Sequence, residues 1–249
     1  MAYVLEYHLV HYRRTWRASV LSTFVLPLLT LVGFGVGVGG YVDGGIDGVP
    51  YLEWVVPGLI ASTAVQTAIG ESTWPVLSYF EWLKVYFAQA AAPLRTSAIL
   101  GGHLAFMMFR VLLSVVAFAL VAAIFGALAS PWAVAVLPIG VLTGFAVAAP
   151  VTAYSASVST DSYLAILMRF AVLPMSLFSG VFFPVETLHP VLRAVAYALP
   201  LWHGVDLSRS ATLGLNPGWQ GLGQLLYLLL WCAAGWFLAL RRFRRRLVV

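Results

Sequence analysis

Charge is what this sequence has least of. Only 9% of its 249 residues are Asp, Glu, Lys or Arg, against 61% hydrophobic residues, where a soluble globular domain carries nearer a quarter charged. No sizeable soluble domain fits, because runs of about 20 apolar residues, the length that crosses a bilayer, use up the chain. Cysteine is almost absent too. Cys232 stands alone in the last apolar run, which excludes a disulfide framework or a thiolate metal cluster within one chain. Lysine is confined to Lys84 among 14 basic residues, a bias that, with the Ala, Gly and Val content, fits a bacterial genome of high GC content.

Several motifs are missing as well. No Gly-x-x-x-x-Gly-Lys-Ser/Thr occurs, so nucleotide is not bound through a P-loop and any ATP belongs to a partner. No His-Glu-x-x-His occurs, which speaks against a metalloprotease. The N-terminal MAYVLEYHLVHYRRTWR lacks the order of a secretory signal, since its basic residues follow an aromatic stretch and the apolar run after them is too long. The first span is therefore expected in the mature protein.

What is present is a series of apolar runs at about 18–40, 51–73, 99–124, 131–154, 164–183 and 219–240. Backbone groups in lipid must be satisfied within the segment, so the fold class is all-α and integral to the membrane, one transmembrane domain over 1–249 with six spans. Arg13, Arg14 and Arg17 precede the first span, Lys84 and Arg95 lie between the second and third, and RRFRRR follows the sixth. The opposite loops hold Arg193 and Arg209, so the positive-inside rule places both termini in the cytoplasm of a bacterial inner membrane. The tail itself is expected to anchor the last span at the anionic leaflet, and no nucleic-acid partner is expected.

Three further segments are structured in expectation. Leu5, Leu9, Tyr12 and Trp16 fall on one face of a helix over 3–17, an amphipathic helix in the membrane interface with Arg13 and Arg17 to one side. Leu77, Phe80, Leu83 and Phe87 recur at near-helical spacing and predict a short aromatic helix over 75–90, lying on lipid or meeting another protein. Prolines at 184, 190, 200 and 217 cut the apolar 184–218 into pieces too short to cross. Two re-entrant helices, about 186–198 and 201–212, are the economical reading, packed against other helices. The glycines of GFGVGVGG (Gly33 to Gly40) serve either close helix approach or a flexible exit.

The candidates for chemistry have simpler alternatives. Glu186 with His189, and His203 with Asp206, are spaced i, i+3 like metal ligands, yet carboxylates near helix starts are favoured by the dipole alone. Ser179 and His203 are the pair that a six-span intramembrane hydrolase would use, but Leu177 and Phe178 cannot form its Gly-x-Ser-Gly turn. A channel or secondary transporter would carry an inverted repeat, and none is visible. Arg110 and Arg169 sit in or at the end of spans, where a charge costs about 2.5–3.5 kcal/mol, so each snorkels or pairs, Arg110 with Glu71 or Glu53. Glu71 is expected to cap the helix after it rather than to face the bundle.

Four stretches then carry a resemblance: GFGVGVGGYVDGGIDGVPYLEWVVPGLIAST, ESTWPV, APLRTSAILGGHL and LFSGVFFPVETLHPVLRAVAYALPLWHGVDLSR. The chain resembles the membrane subunits (permeases) of ABC type-2 exporters, in particular the nodulation-factor, or lipo-oligosaccharide, exporter branch. The resemblance implies a half-transporter that pairs with a second permease copy and two separate ATPase subunits, which hold the ATP and Mg. No cofactor is then bound by this chain, which is non-catalytic. It further implies that 3–17 is the interface helix and 75–90 the coupling helix, with Glu71, Trp74, Glu81, Trp82, Lys84, Arg13 and Arg17 as ATPase-coupling candidates. The pair at 184–212 would be an external gate containing Phe182, Phe183, Pro184, Glu186, His189, Pro200, His203 and Asp206. The cargo would be amphipathic or lipid-linked: a glycolipid, a lipo-oligosaccharide or a hydrophobic drug.

Overall fold

The computed structural model of the chain describes residues 1–39, 45–46 and 48–247, and at 18–23, 26, 35 and 36 the backbone alone. The described residues are helical almost throughout, with one isolated bridge, Ile46 to Val49, in place of sheet. In chain order the helices are α1 (Ala2–Val32), α2 (Tyr51–Ser72), α3 (Trp74–Glu81), α4 (Val85–Ala91), α5 (Thr96–Ile124), α6 (Val136–Ser155), α7 (Asp161–Leu167), α8 (Leu173–Phe178), α9 (Pro190–Ala198), α10 (Pro200–Leu213) and α11 (Gly218–Leu247).

Five helical stretches among the described residues are long and apolar enough to cross a bilayer: Tyr51–Glu81, Thr96–Ile124, Pro131–Ser155, Asp161–Phe178 and Gly218–Leu247. The first expected span falls on α1 and the π turn Gly33–Val38 that continues it, where several side chains lie outside the described residues. Most of the YVDGGIDG turn lies outside them too.

α2 is the hub. It packs against α5, α6 and α10, and α6 in turn holds α11, while α1 lies along α5. Polar bridges tie the apolar layers, Gln66 Nε2 donating to Ser176 Oγ at 2.8 Å and Thr67 Oγ1 to Ser114 Oγ at 3.1 Å, as interhelical hydrogen bonds do where no water competes. Gly102 brings α5 close to α1, since a Cβ there would sit 2.6 Å from Val4 Cβ. In the GFGVGVGG run, Cβ atoms on Gly33 and Gly37 would meet nothing within 4 Å and one on Gly39 would make ordinary contact with Tyr51 at 3.8 Å, while Gly40 lies outside the described residues.

Several expected boundaries move, each for a local reason. The amphipathic N-terminal helix runs on through Val32 without a break, and the face it buries is Val4 and His8, with Trp16 exposed. Close packing on Gly102 selects that register. The single helix expected over 75–90 is broken into α3 and α4, because Lys84 turns the corner at φ 54, the one non-glycine with positive φ among the described residues. Of its apolar face Leu77 and Phe80 are buried, and Leu83 is 63% exposed. The fifth span ends at Phe178, not at Phe182-Phe183-Pro184. Ser179 Oγ donates to the Met175 carbonyl at 2.6 Å and Gly180 takes φ +74, a conformation that ends a helix cleanly. In the segment after it, Val185–Thr187 is a single 3-10 turn, so the first helix of the expected pair begins at Pro190 rather than 186.

Candidate functional site

The residues singled out by the sequence gather at the two ends of the bundle. One end holds the start of α1, the α3–α4 corner, the α6–α7 turn and the end of α11, and we call it the basic end.

At its centre is a block of rings. His8 stacks on His103 at 4.5 Å and on Phe106 at 5.1 Å, and Tyr79 lies 5.5 Å from both His103 and Tyr86. Burial holds the Tyr86 phenol well above its ordinary range, so it stays protonated, and it shares a hydrogen bond with His103 Nδ1. Burial, helped by the neighbouring His11, pushes His8 down to about 4. His8 is therefore a neutral ring in the wall between α1 and α5, and its Nε2 has no hydrogen-bond partner among the described residues. Sequence periodicity missed this block because histidine counts as polar in it; the signal available was the recurrence of rings at 8, 79, 86, 103 and 106.

Two carboxylates brace this end. Glu71 accepts from Arg110 Nε at 3.0 Å, and the guanidinium lies 4.8 Å over the Tyr12 ring. Glu71 faces the bundle, contrary to the expectation that it caps the next helix, because an arginine deep in α5 needs a counter-charge more than α3 needs a cap. Thr73, at the α3 N-cap, has no side-chain capping bond. Glu81 ends α3 and is shared, with Lys84 Nζ at 3.7 Å and Arg246 of α11 as its partner on the other oxygen. It is turned into the structure. The groups left outward at the corner are Trp82, 61% exposed, with Leu83 and Lys84 beside it. Trp74 is half-exposed, Arg13 and Arg17 are exposed, and Arg17 lies 5.9 Å over the Trp16 ring. Arg169 is exposed on the π turn Met168–Val172.

The opposite end holds α9, α10 and the start of α11. α10 drives inward against α2, α6 and α11, with Pro200, Leu201 and Val205 buried. α9 lies outside it. Phe182 stacks on Phe34 of the α1 continuation at 5.0 Å, and Phe183 and Pro184 are half-buried beside it. The Glu186 carboxylate accepts from Tyr197 Oη of α9 at 3.5 Å, and His189 occupies the α9 N-cap without a side-chain bond. Arg193 donates to the carbonyls of Glu186 and Leu188. Arg209 donates to the Trp54 carbonyl at 3.2 Å and the Gly180 carbonyl at 2.8 Å, stacked 3.8 Å over the Trp54 ring.

The groups that could have suggested catalysis are otherwise occupied. Ser179 is committed to Met175, and His203 Nε2–H donates to the Tyr197 carbonyl at 2.9 Å. Asp206 lies inside α10 rather than at its start and accepts from Gln224 Nε2 at 2.7 Å. Between α6, α10 and the start of α11 is a cleft of about 690 Å³, lined by Trp132, Ile139, Leu142, Leu207, Asn216 and Leu225.

Residues 2–213 match the family described as ABC-2 type transporter. The chain belongs to this family. Among its relatives is Nodulation protein J of Sinorhizobium fredii, 29% identical over 231 residues, which are 93% of this chain and 87% of the relative. Nodulation protein J of Neorhizobium galegae is 29% identical over 232 residues, 92% and 87% of the two chains. That of Rhizobium leguminosarum bv. trifolii is 28% identical over 239 residues, 96% and 90%. The ABC-2 transporter chain is thus a multi-pass membrane subunit.

Proposed function

We propose that this ABC-2 family member is the permease of an ATP-driven exporter in a bacterial inner membrane. It crosses six times, with α1 as interface helix and first span and both termini in the cytoplasm. Two copies, or this chain and a related permease, form the path, and two separate ATPase subunits supply the free energy of ATP and Mg. Closure of the ATPases rocks the two bundles between arrangements, a two-state element biased from the cytoplasmic side. α9 and α10 are the re-entrant external gate. The cargo is amphipathic or lipid-linked, of the glycolipid, lipo-oligosaccharide or hydrophobic-drug kind; the apolar cleft beside α10 and the Nodulation protein J relatives support that class.

The observation that carries this reading is the α3–α4 corner. Trp82 and Leu83 are outward at a turn that Glu81 and Lys84 hold in a left-handed conformation. An exposed tryptophan on a braced turn has the character of an interface anchor. Mild-detergent isolation from native membranes, with mass spectrometry of partners and a vanadate-sensitive ATPase assay, tests it. A co-purifying ATPase whose recovery falls in a Trp82→Ala, Leu83→Ser double variant is the expected result; no ATPase in any detergent would refute the reading.

A further inference from the structure

Arg246 does something its sequence context hides. In RRFRRR it reads as one lipid-anchoring charge among five, and Arg241, Arg242, Arg244 and Arg245 are largely exposed. Phe243 and Arg246, one helical turn apart, face the protein instead. Phe243 is fully buried, its ring 4.9 Å from Phe80 and 5.0 Å from Tyr86. The Arg246 guanidinium pairs with Glu81, donates to the Ala156 carbonyl at 2.9 Å and the Val158 carbonyl at 3.1 Å, and lies 4.4 Å over the Phe80 ring. One side chain therefore joins the end of α3, the α6–α7 turn and the end of α11. Only arginine can do this, since its planar fork has five donors and a stacking face, where lysine has a point charge.

We infer that the last turn of α11 is a strap, and that Arg246 is a positioning residue which passes displacement of the α3–α4 corner to α6 and α11. The inference rests on the reading that an ATPase engages that corner. A corner free to swing on Lys84 would absorb the ATPase's movement locally. Tied through Arg246 to the α6–α7 turn, and through Phe243 to the ring block, it moves only with the helices that run to the opposite end. Coupling of this kind needs packed elements with discrete arrangements rather than a soft hinge.

The test uses the full chain in nanodiscs with the ATPase that co-purifies with it. In a Cys232→Ala background, Val191→Cys places a reporter on α9 at the opposite end, where residue 191 is 65% exposed. Its labelling rate by a membrane-impermeant maleimide is compared with and without ATP, Mg and vanadate. With Arg246 present, trapping should change the rate by about fivefold, the lower end of coupling between linked sites. Arg246→Ala should keep ATPase recovery and hydrolysis but bring the change close to none, and Arg246→Lys should restore part of it. A full change in Arg246→Ala overturns the inference while leaving the proposed function intact. If Arg246→Ala does not assemble, Arg246→Lys and Glu81→Gln decide, each compared at retained ATPase recovery and hydrolysis: a reduced change in either supports the strap, and a full change in both overturns it. An absence of any co-purifying ATPase removes the proposed function first, and the strap with it, before any Arg246 variant is made.

Discussion

The two ends of the bundle use arginine differently. At the basic end Arg110 and Arg246 pair with carboxylates, Glu71 and Glu81, that come from other helices, and Arg246 adds two carbonyls of the α6–α7 turn. At the opposite end Arg193 meets the backbone carbonyls of Glu186 and Leu188. A carbonyl contact within a turn fixes the shape of that turn. A carboxylate contact between helices holds an arrangement that can be remade in another register, as a moving coupling end requires.

The sharpest way to break that contrast is to remove one charge of the internal pair. Arg110→Met leaves Glu71 half-buried and unpaired, which should cost about 3 kcal/mol, and the double variant Arg110→Met, Glu71→Gln should recover most of the loss. Thermal unfolding in detergent measures both; a double variant no better than the single would show that the pair is not the unit.

At the opposite end recovery of that sort should fail. Arg193→Ala strips the Glu186 and Leu188 carbonyls of their donor and should cost about 1.5 kcal/mol in thermal unfolding, and Glu186→Gln should not restore it. Restoration by Glu186→Gln would erase the distinction between the ends.

A smaller effect is set by pH. His8 is held down to about 4, against about 6.5 for an unfolded histidine. Its packing contribution is therefore fully present above about pH 6.5, and is lost as pH falls from there toward the folded value, because the released state takes a proton that the packed ring refuses. Near pH 5.5 the loss should be about 1 kcal/mol, seen as faster protease cleavage of the N-terminal turns, and His8→Phe should remove the dependence. Smallest of all is Trp82→Ala, which should shift unfolding by less than about 0.5 kcal/mol while lowering ATPase recovery.

Much of the helical layout was legible in the sequence, because lipid enforces helices wherever apolar runs are long enough. Span positions from 51 onward and the α9–α10 pair come from run length and proline placement. The parts that were not legible depend on contacts between distant segments. The sequence offered Glu71 and Glu53 alike as partners of Arg110, and the structure selects Glu71. No local pattern says that Arg246 turns inward from a polybasic tail, or that His8 rather than Leu9 is the buried face. Each is decided by the group that arrives from another helix: Glu81 from α3, Gly102 from α5. The end of the fifth span was misplaced for a different reason, since the Ser179-Gly180 stop is chemical punctuation inside a run that hydropathy alone reads as continuous.

Coupling depends on an ATPase seated at the α3–α4 corner. A photo-cross-linking amino acid at position 83, in the chain expressed in its own membranes, would detect it there. The expected result is a cross-linked product containing a nucleotide-binding ATPase, strengthened by vanadate trapping. Cross-links to lipid alone, with and without nucleotide, would contradict it.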